Sequence, residues 1–437
     1  MAFLNSIPLA TTPSGLHVAP LSTSYVISDY FKNRPLKCYT SPDEVILCVD
    51  YKQSMYCHLL CGLVQREEVV SISATFACLI VQAIQYLESH WKEFCNNIRF
   101  GYISEWITHL GCRDSVSVIL GGPKPELADL IERECSQKSW EGIVTRLWPN
   151  VKYIQCIITG QMSQYIPILE FYSNKLPLFS PRYGSSETMF GANLNPLCKP
   201  QDVTYTFLPN MSYFEFLPVD GSNNNEIVGL VNVKLGCFYE PLITNHFGLC
   251  RYRMGDILQM TGFYNSAPQF KFVRRKNIVL SIDLEATTEE DISKALNRAA
   301  VVLEVSDLML MGFTCYADIS TVPGHYVFFW ELKDKKFSGL IKPDNKVMME
   351  CCYAIEESFN VLYRLLRSKS GSMGALEIRV VRQGTFDSLM EYFISKGTSM
   401  SQFKIPISIN SPQALAILGD KVVDQFFSDK CPQIWST

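Results

Sequence analysis

Three short segments of this 437-residue chain carry side chains that could do chemistry together. In the first, residues 183–187, Ser185, Ser186 and Glu187 place two hydroxyls and a carboxylate directly after Gly184. This set suits a phosphate group and an accompanying Mg²⁺, because hard cations prefer oxygen ligands. The alternative interpretation is a helix N-terminus, capped by one of the serines and favoured by the negative charge of Glu187.

The second segment, residues 251–256, ends in Gly255 and Asp256 at an expected tight turn. A carboxylate can accept hydrogen bonds from both vicinal hydroxyls of a ribose, since its two oxygens offer several acceptor positions. The alternative is the edge of a β-hairpin that carries solvated charges. Together, the first two segments favour one nucleotide site over two unrelated surface features.

The third segment surrounds Lys404, which precedes an Ile-Pro pair in a polar stretch. A lysine in such a loop is usually solvated. It acquires a chemical role if a mobile C-terminal unit carries it over a phosphoryl group, where its point charge stabilises negative charge.

Composition restricts the partners that this chain can have. The chain has 39 Lys+Arg against 43 Asp+Glu, a formal net charge of −4, with 47% hydrophobic and 19% charged residues. That mixture excludes long disorder and predicts a globular chain of two or three domains. The weak acidic balance gives no electrostatic footprint for nucleic acid or for an anionic membrane.

The sixteen cysteines and six histidines show no C-x-x-C pair and no zinc-like spacing along the sequence. We find no secretory start, and the longest apolar stretch, residues 72–84, is too short to span a bilayer and favours a buried helix. These features predict a soluble protein in a reducing, cytoplasmic compartment. A cysteine-dependent transferase built on Cys57 and His58 is a weak alternative, because adjacent residues on a helix do not face each other.

The elements that would hold the three segments follow from periodicity and turn residues. Irregular, turn-rich sequence occupies residues 1–30, and residues 205–272 read as an antiparallel or barrel-like β portion. Before that portion we predict helices at 54–66, 72–91 and 125–137 and strands at 115–120 and 151–159. Strands that end in a glycine turn are typical of α/β units, whose ligands meet the C-terminal ends of the strands.

A second unit begins after about residue 281. Thr287 or Thr288 and the acidic residues that follow predict a helix start, and the helix extends to residue 300. Strands at 325–332 and 375–381 and helices at 345–366 and 386–396 predict a two-layer α+β domain. We therefore expect an α/β fold with a large domain, residues 1–280, and a smaller mobile domain, residues 281–437.

With these residues in view, the chain resembles the plant Gretchen Hagen 3 acyl acid amido synthetases, relatives of the adenylate-forming enzymes. Within that family it is most similar to the branch that joins 4-substituted benzoates, or isochorismate, to glutamate. The segments that carry the resemblance begin at residues 12–16 and continue at 39–45, 119–130, 183–200, 209–218, 265–275 and 376–397.

The resemblance implies an ATP- and Mg²⁺-dependent ligase with an adenylate-forming fold, a small carboxylic acid and an amino acid as substrates, and a monomeric state. The residue roles that it implies are Mg²⁺ binding by Glu187, phosphate contacts by Ser185, Ser186 and Lys404, ribose binding by Asp256, a nucleotide border of Gly160, Tyr183 and Gly184, a hinge at Arg274, and an acyl-substrate contact by Met189. Arg182 is unusual beside the expected acyl pocket: it either recognises a second carboxylate on the substrate or is a solvated surface arginine.

Two departures from the family pattern support a competing hypothesis. No Ser/Thr/Gly-rich phosphate loop occurs in this sequence, and Ala286 stands where the family has a lysine. We therefore expect a chain truncated at its N-terminal side. The competing hypothesis is a catalytically impaired remnant or an incomplete gene model, at most a binding or regulatory protein.

Overall fold

The computed structural model describes residues 1–6, 9–18, 21–34, 38–219, 226–276, 278–282, 285–336, 341–398 and 403–434. Residues 220–225 of the predicted β portion lie outside these residues, as do residues 283 and 284, shortly before Ala286. In the described part, no helix is long and apolar enough to cross a membrane.

The helices are α1 Leu21–Ile27, α2 Asp29–Lys32, α3 Asp43–Ile46, α4 Tyr51–Val64, α5 Ala77–Phe100, α6 Leu110–Leu120, α7 Pro125–Cys135, α8 Ile143–Leu147, α9 Ile166–Ser173, α10 Glu289–Glu304, α11 Asn345–Glu356, α12 Val361–Leu365, α13 Thr385–Ser395 and α14 Pro412–Gly419. The strands are β1 Ala10–Thr11, β2 His17–Val18, β3 Ser71–Phe76, β4 Tyr153–Ile157, β5 Leu178–Phe179, β6 Arg182–Gly184, β7 Met189–Ala192, β8 Tyr205–Phe207, β9 Tyr213–Pro218, β10 Val228–Gly229, β11 Phe238–Thr244, β12 Tyr252–Arg253, β13 Asp256–Tyr264, β14 Ala267–Arg275, β15 Ile278–Ile282, β16 Glu285–Thr288, β17 Leu308–Asp318, β18 His325–Asp334, β19 Glu377–Val381 and β20 Val422–Phe427.

A parallel three-stranded sheet, β3-β4-β5, lies against the helices of the first part of the chain. The single helix predicted over 72–91 is wrong at its start, because residues 71–76 form β3 and the chain turns helical only at Ala77. Ile72 is opposite Ile154 of β4, so sheet pairing decides the conformation of a run that is apolar enough for either structure.

The strand predicted at 115–120 is also wrong, since these residues end helix α6. Cys112, Val116 and Leu120 are buried and lie four residues apart, which is the spacing of one helix face. The β-branched residues between them suggested a strand, but the buried face decides the structure. Gly121 then ends the helix in the left-handed region, with φ of +62°.

Two further predictions need correction. Residues 1–30 are less irregular than expected, because they include the pair β1–β2 and helix α1. The helix predicted over 345–366 is interrupted after α11, since Asn360 starts α12 by accepting the backbone N–H of Tyr363. The antiparallel portion predicted over 205–272 is confirmed, and the strand at 151–159 is confirmed in β4.

The described residues of the central part form a nine-stranded antiparallel sheet in the order β10-β9-β11-β13-β14-β8-β7-β6, with β12 paired to β11. Its buried face is aromatic: Phe207 packs against Phe270 with ring centroids 4.7 Å apart, and Phe216 stacks on Phe270 at 4.8 Å. This sheet carries the hairpin that holds residues 183–187 and the strand that begins with Asp256.

The C-terminal part is built on the four-stranded sheet β17-β18-β19-β20. Phe328 and Trp330 of β18 pack with α10 and α11, whereas Val327 and Phe329 pack with α13 and α14. Successive strand residues point to opposite faces, so helices cover both faces and the two-layer prediction is corrected to three layers. The α10 start is confirmed, with Thr288 and Asp291 forming a capping box.

The small domain is joined to the large one by buried polar contacts. Lys333 of β18 pairs with Glu88 of α5 and donates to the Tyr172 hydroxyl at 3.0 Å. Leu280 and Ile282 belong to the core of the C-terminal part. The boundary between residues 280 and 281 stays a prediction.

Glu331 is a buried acid beside this junction, where its carboxylate accepts the backbone N–H groups of Gly384 at 3.1 Å and Phe386 at 3.2 Å. Burial, reinforced by the nearby Asp387, raises the pKa of Glu331 from 4.5 to about 7. The folded chain therefore keeps a proton that the unfolded chain releases at lower pH.

We expect Glu331 to contribute stability that is lost as pH rises from 5 to 8, and Glu331→Gln to remove that contribution from the pH dependence. In this window folded Glu331 keeps a proton that the unfolded chain has released, so this contribution favours unfolding as pH rises, whereas the lowered pKa values of His58 and the N-terminal amine act in the opposite direction. The difference in pKa corresponds to roughly 3 kcal/mol. Melting temperatures across the window test the prediction, with Glu350→Gln as a surface control. A slope that is unchanged in Glu331→Gln would contradict it.

Candidate functional site

The C-terminal ends of the three parallel strands meet at one edge of their sheet, as the α/β pattern predicts. Phe76 ends β3, and Gly160 follows β4 in a tight turn with φ of +60°. A Cβ atom at Gly160 would lie 3.1 Å from the ring of Phe272, on the central sheet. Glycine is therefore required here both by the backbone and by the close approach of the two sheets.

Residues 183–187 form a hairpin between β6 and β7, so the helix N-terminus interpretation is wrong. The Ser185 N–H donates to the Thr188 carbonyl at 2.9 Å, and the Ser185 hydroxyl accepts the Glu187 N–H at 3.2 Å. The chain continues as a strand because Gly191 packs directly on Thr206 of β8, where a Cβ atom would come within 2.5 Å of the Thr206 carbonyl oxygen.

The Tyr183 side chain connects this hairpin to Asp256. Its hydroxyl donates to Asp256 Oδ2 at 2.5 Å, and its ring stacks on Phe190 with centroids 4.4 Å apart. Burial and the Asp256 carboxylate raise the pKa of Tyr183, so the phenol keeps its proton and acts as the donor. Two of the residues singled out in the sequence are therefore in direct contact.

Arg275 is a site residue that the sequence predictions missed. Its Nε donates to Asp256 Oδ1 at 3.0 Å, and the guanidinium is half exposed while the carboxylate side chain is only 2% exposed. Burial raises the pKa of Asp256, whereas the hydrogen bond from Tyr183 and the charge of Arg275 oppose that shift. Arg275 thus covers a buried acid whose two oxygens both receive donors.

The pairing of β13 and β14 contains a signal for this contact. Asp256 pairs with Arg275 at one end of the two strands, and Tyr264 pairs with Ala267 at the other end, next to the turn. Two irregularities shift the register in between, but their shifts cancel. Counting residues outward from the turn at 265–266 therefore places Arg275 opposite Asp256.

Lys404 reaches this site from the C-terminal domain. Its ammonium lies 4.3 Å from the centroid of the Phe76 ring, at the end of β3. Burial and the charge of Arg275 lower the pKa of Lys404, and the carboxylates of Glu289 and Asp256 oppose that shift. The structure thus places Lys404 near Asp256 and Glu289, and its predicted role at the phosphate stays a prediction.

Glu289, in the first turn of α10, is a second residue that the sequence predictions missed. It is buried, and its carboxyl group interacts with the Gln161 side chain, next to Gly160. Burial raises the pKa of Glu289, while Gln161, Arg275 and Lys404 lower it. The sequence does not distinguish Glu289 from Glu290 and Asp291, because all three acids lie in the first turn of α10 and all three favour the helix start.

Arg274 points to the C-terminal domain rather than toward Asp256. Its Nε lies 3.0 Å from Glu290 Oε2, and Lys294 contacts the other oxygen of Glu290 at 2.7 Å. The ion pair connects the end of β14 with the first turn of α10. The hinge role of Arg274 stays a prediction.

The remaining predicted residues surround the hairpin without joining this cluster. Arg182 and Ser186 are exposed, and the Met189 side chain lies against Gly184. Glu187 is held through its carbonyl, which accepts the Asn245 side chain at 2.9 Å. Among the described residues, its carboxylate has no hydrogen-bonding or ionic partner, which fits a ligand left available for a cation.

Ala286 and the Cys57–His58 pair have structural surroundings. The Ala286 carbonyl accepts the Asn360 side chain at 3.2 Å within the C-terminal domain. Both ring nitrogens of buried His58 are occupied, by the Ser41 hydroxyl at 2.6 Å and the Leu4 carbonyl at 2.7 Å. This arrangement gives no support to a thiol–imidazole pair at Cys57.

Comparison with known proteins gives matches along almost the whole chain. The GH3 family N-terminal domain matches residues 1–178, the GH3 family central domain 205–275 and the GH3 family C-terminal domain 290–413. A 4-substituted benzoates-glutamate ligase, GH3.12 of Arabidopsis thaliana, is 57% identical over an alignment of 435 positions that covers 98% of this chain and 76% of that protein. An indole-3-acetic acid-amido synthetase, GH3.17 of the same plant, is 52% identical over an alignment of 451 positions that covers 98% of this chain and 74% of that protein.

The solved structures agree with these relatives. A GH3.15 acyl acid amido synthetase superposes with a TM-score of 0.93 at 49% identity, covering 99% of this chain and 76% of that one. These matches confirm the adenylate-forming-like fold and give no support to the alternative of an impaired remnant. The chain therefore belongs to the GH3 family of acyl acid amido synthetases and is, by family, an acid–amino acid ligase.

Proposed function

We propose that this chain uses ATP to join a benzoate- or isochorismate-type acid to glutamate through an acyl-adenylate. The observation that supports this proposal is the convergence of Asp256, Lys404 and Glu289, from different parts of the chain, above the end of a parallel strand. The substrate class is suggested by the 57% identical relative, which is named for 4-substituted benzoates and glutamate.

The proposed reaction has two steps. A carboxylate oxygen of the acid attacks the α-phosphorus of ATP, the bond to the β-phosphate oxygen breaks, and pyrophosphate leaves with the bonding electrons. The amine of glutamate then attacks the acyl carbon, the acyl–phosphate bond breaks, and AMP leaves as the amine loses a proton. Activation is needed because a free carboxylate resists attack by an amine.

We propose that Asp256 binds the ribose and that Tyr183 and Gly160 border the nucleotide. Tyr183 and Arg275 use one acceptor position on each Asp256 oxygen, and a carboxylate offers about four. Since Asp256 is buried beneath half-exposed Arg275, ribose binding requires the Arg275 side chain to move aside.

Lys404 is proposed to stabilise the negative charge that develops at the α-phosphate. The nearby Glu289 and Asp256 carboxylates attract its ammonium and orient it toward the strand ends. A cation that neighbouring carboxylates already orient stabilises a transition state more than a freely moving one does.

The residues of the hairpin fit a magnesium–phosphate site in chemical type. Mg²⁺ usually takes one or two protein carboxylates together with substrate phosphate oxygens and water, and Glu187 offers one such carboxylate. When bound, the ion would neutralise phosphate charge. The Ser185 hydroxyl accepts a turn N–H and can still donate its own proton, and Ser186 is exposed and able to contact phosphate.

Arg182 and Met189 are proposed to contact the acyl substrate. Arg182 is exposed at the start of β6, so its guanidinium is available for a second carboxylate of the kind that isochorismate carries. Met189 adds a flexible apolar surface beside Gly184 that suits an aromatic or cyclohexadiene ring. We further expect a monomer located in the cytoplasm.

Acid-dependent exchange of labelled pyrophosphate into ATP tests the first step. We expect exchange with 4-substituted benzoates or isochorismate, weaker exchange with indole-3-acetic acid, and none without an acid. Mass spectrometry should then detect the amide with glutamate in excess over that with aspartate. Absence of exchange from folded chain, with retained binding of a non-hydrolysable acyl-adenylate analogue, would contradict the ligase proposal and favour a binding protein.

A further inference from the structure

A second cluster of chemically active side chains lies outside the nucleotide crevice. Cys48, His109 and Cys112 place two thiol sulfurs and one imidazole nitrogen within 4.8 Å of one another. Cys48 follows helix α3, whereas His109 and Cys112 begin helix α6. The spacing along the sequence does not identify this group as a metal site, because 61–64 residues separate Cys48 from the other two.

The donor set matches a borderline-soft divalent cation. Zinc takes thiolate at about 2.3 Å and imidazole at about 2.0–2.1 Å in a tetrahedron, so its ligand atoms are roughly 3.3–3.8 Å apart. The upper limit of 4.8 Å in this structure differs from that spacing by about 1 Å, which side-chain rotation can supply. Two sulfurs and one nitrogen leave a fourth position for water.

The backbone around the cluster holds the three groups in place. The His109 ring accepts the Cys112 N–H at 3.2 Å through Nδ1, while the His109 N–H donates to the Gln53 side chain at 2.9 Å. A Cβ atom at Gly111 would come within 3.2 Å of the imidazole, so this glycine leaves room for the ring. The Cys112 thiol points toward the Glu44 carbonyl at 3.7 Å.

The cluster is accessible to an ion. Both thiols are buried and His109 is exposed, which gives an ion a route from solvent. The Cys48 thiol points toward the Asp50 carbonyl at 3.5 Å. A bound cation displaces the protons of its thiol ligands.

We propose that Cys48, His109 and Cys112 form a Cys₂His site for a divalent transition metal, with zinc as the preferred ion. The site would connect the end of α3 to the start of α6 and stabilise the large domain. None of its three ligands is among the residues assigned to the nucleotide, so this inference does not depend on the proposed function.

Cobalt titration of the purified, metal-free full chain tests the proposal. We expect one Co²⁺ per chain, with the intense visible bands of tetrahedral cobalt and a near-ultraviolet thiolate-to-cobalt band, and displacement of both by Zn²⁺. Zn²⁺ should also raise the melting temperature, because an ion that binds only the folded state stabilises it.

The variants Cys48→Ser and Cys112→Ser should each weaken cobalt binding at least tenfold and abolish the zinc-dependent rise in melting temperature. Cys135→Ser removes a buried thiol of helix α7 and should change neither result. His109→Asn removes the exposed ligand but keeps a residue that caps helices well, so α6 should still form. This variant therefore tests the site even if a cysteine variant fails to fold.

Two outcomes would overturn the proposal. One is the absence of a thiolate-to-cobalt band from the folded wild-type chain. The other is a band that persists at full strength in Cys48→Ser, Cys112→Ser and His109→Asn, because other thiols, such as exposed Cys38, would then be the ligands.

Discussion

Replacing Lys404 with alanine is expected to lower the rate of acyl-adenylate formation by about 10²–10³-fold, the usual effect of removing one oriented group that stabilises transition-state charge. The ammonium lies over the Phe76 ring and interacts with Glu289 and Asp256, so in this structure it is already directed at the strand ends. A cation that acts on developing charge changes the turnover rate more than ATP affinity.

Pyrophosphate exchange at saturating ATP measures this loss, and equilibrium binding of ATP measures the affinity separately. Lys404→Arg keeps the positive charge and should recover part of the rate. Lys430→Ala removes an exposed lysine that pairs with Glu350 on the same domain, so it should behave like the wild type. If Lys404→Ala and Lys430→Ala lowered the rate of pyrophosphate exchange equally, the Lys404 charge would act only on the general stability of the domain.

Asp256→Asn is expected to weaken ATP binding by about 10–10²-fold. A hydrogen bond to a charged acceptor contributes about 1.5–3 kcal/mol, and about 1.4 kcal/mol is a tenfold change in affinity. The asparagine amide group would also present a donor to either Tyr183 or Arg275, both of which are donors. The variant site would therefore lack one hydrogen-bond acceptor for the nucleotide, and the side chain of Tyr183 or Arg275 would lose the contact that positions it.

Calorimetric titration with ATP measures this effect, and melting temperatures separate it from unfolding. Asp424→Asn changes an exposed aspartate of β20 and serves as the control. Arg275→Ala should keep or improve ATP affinity, because it uncovers Asp256 without removing the acceptor. ATP binding that is unchanged in folded Asp256→Asn would exclude Asp256 as the ribose ligand.

Local sequence predicted some elements well. The start of α10 was predicted at Thr287 or Thr288 from the acids that follow, and the structure shows that Thr288 is the cap of this helix. Such capping depends on neighbours three residues apart, so a short window contains all the information. The antiparallel character of residues 205–272 was equally local, since it follows from alternating side chains and turn residues.

The sequence predictions were wrong where contacts between residues far apart in the chain determine the local conformation. Residues 71–76 and 115–120 are both apolar and rich in β-branched residues, yet the first is a strand and the second the end of a helix. Pairing with β4 selects the strand, and packing of Cys112, Val116 and Leu120 selects the helix. Intrinsic preferences of about 1 kcal/mol are smaller than either tertiary effect.

The amino-acid sequence alone determined the types of groups available for chemistry, namely the hydroxyls and carboxylate of residues 183–187, Asp256 and Lys404, and it indicated the family. Tertiary structure decided which groups meet: Arg275 covers Asp256, Glu289 accompanies Lys404, and Cys48 lies beside His109 and Cys112. The physical reason is that residue type is a property of one position. Strand register and helix packing, in contrast, bring together positions that are far apart in the chain. The Asp256–Arg275 pair follows from the register of one hairpin, but the other pairs depend on packing that no local pattern predicts.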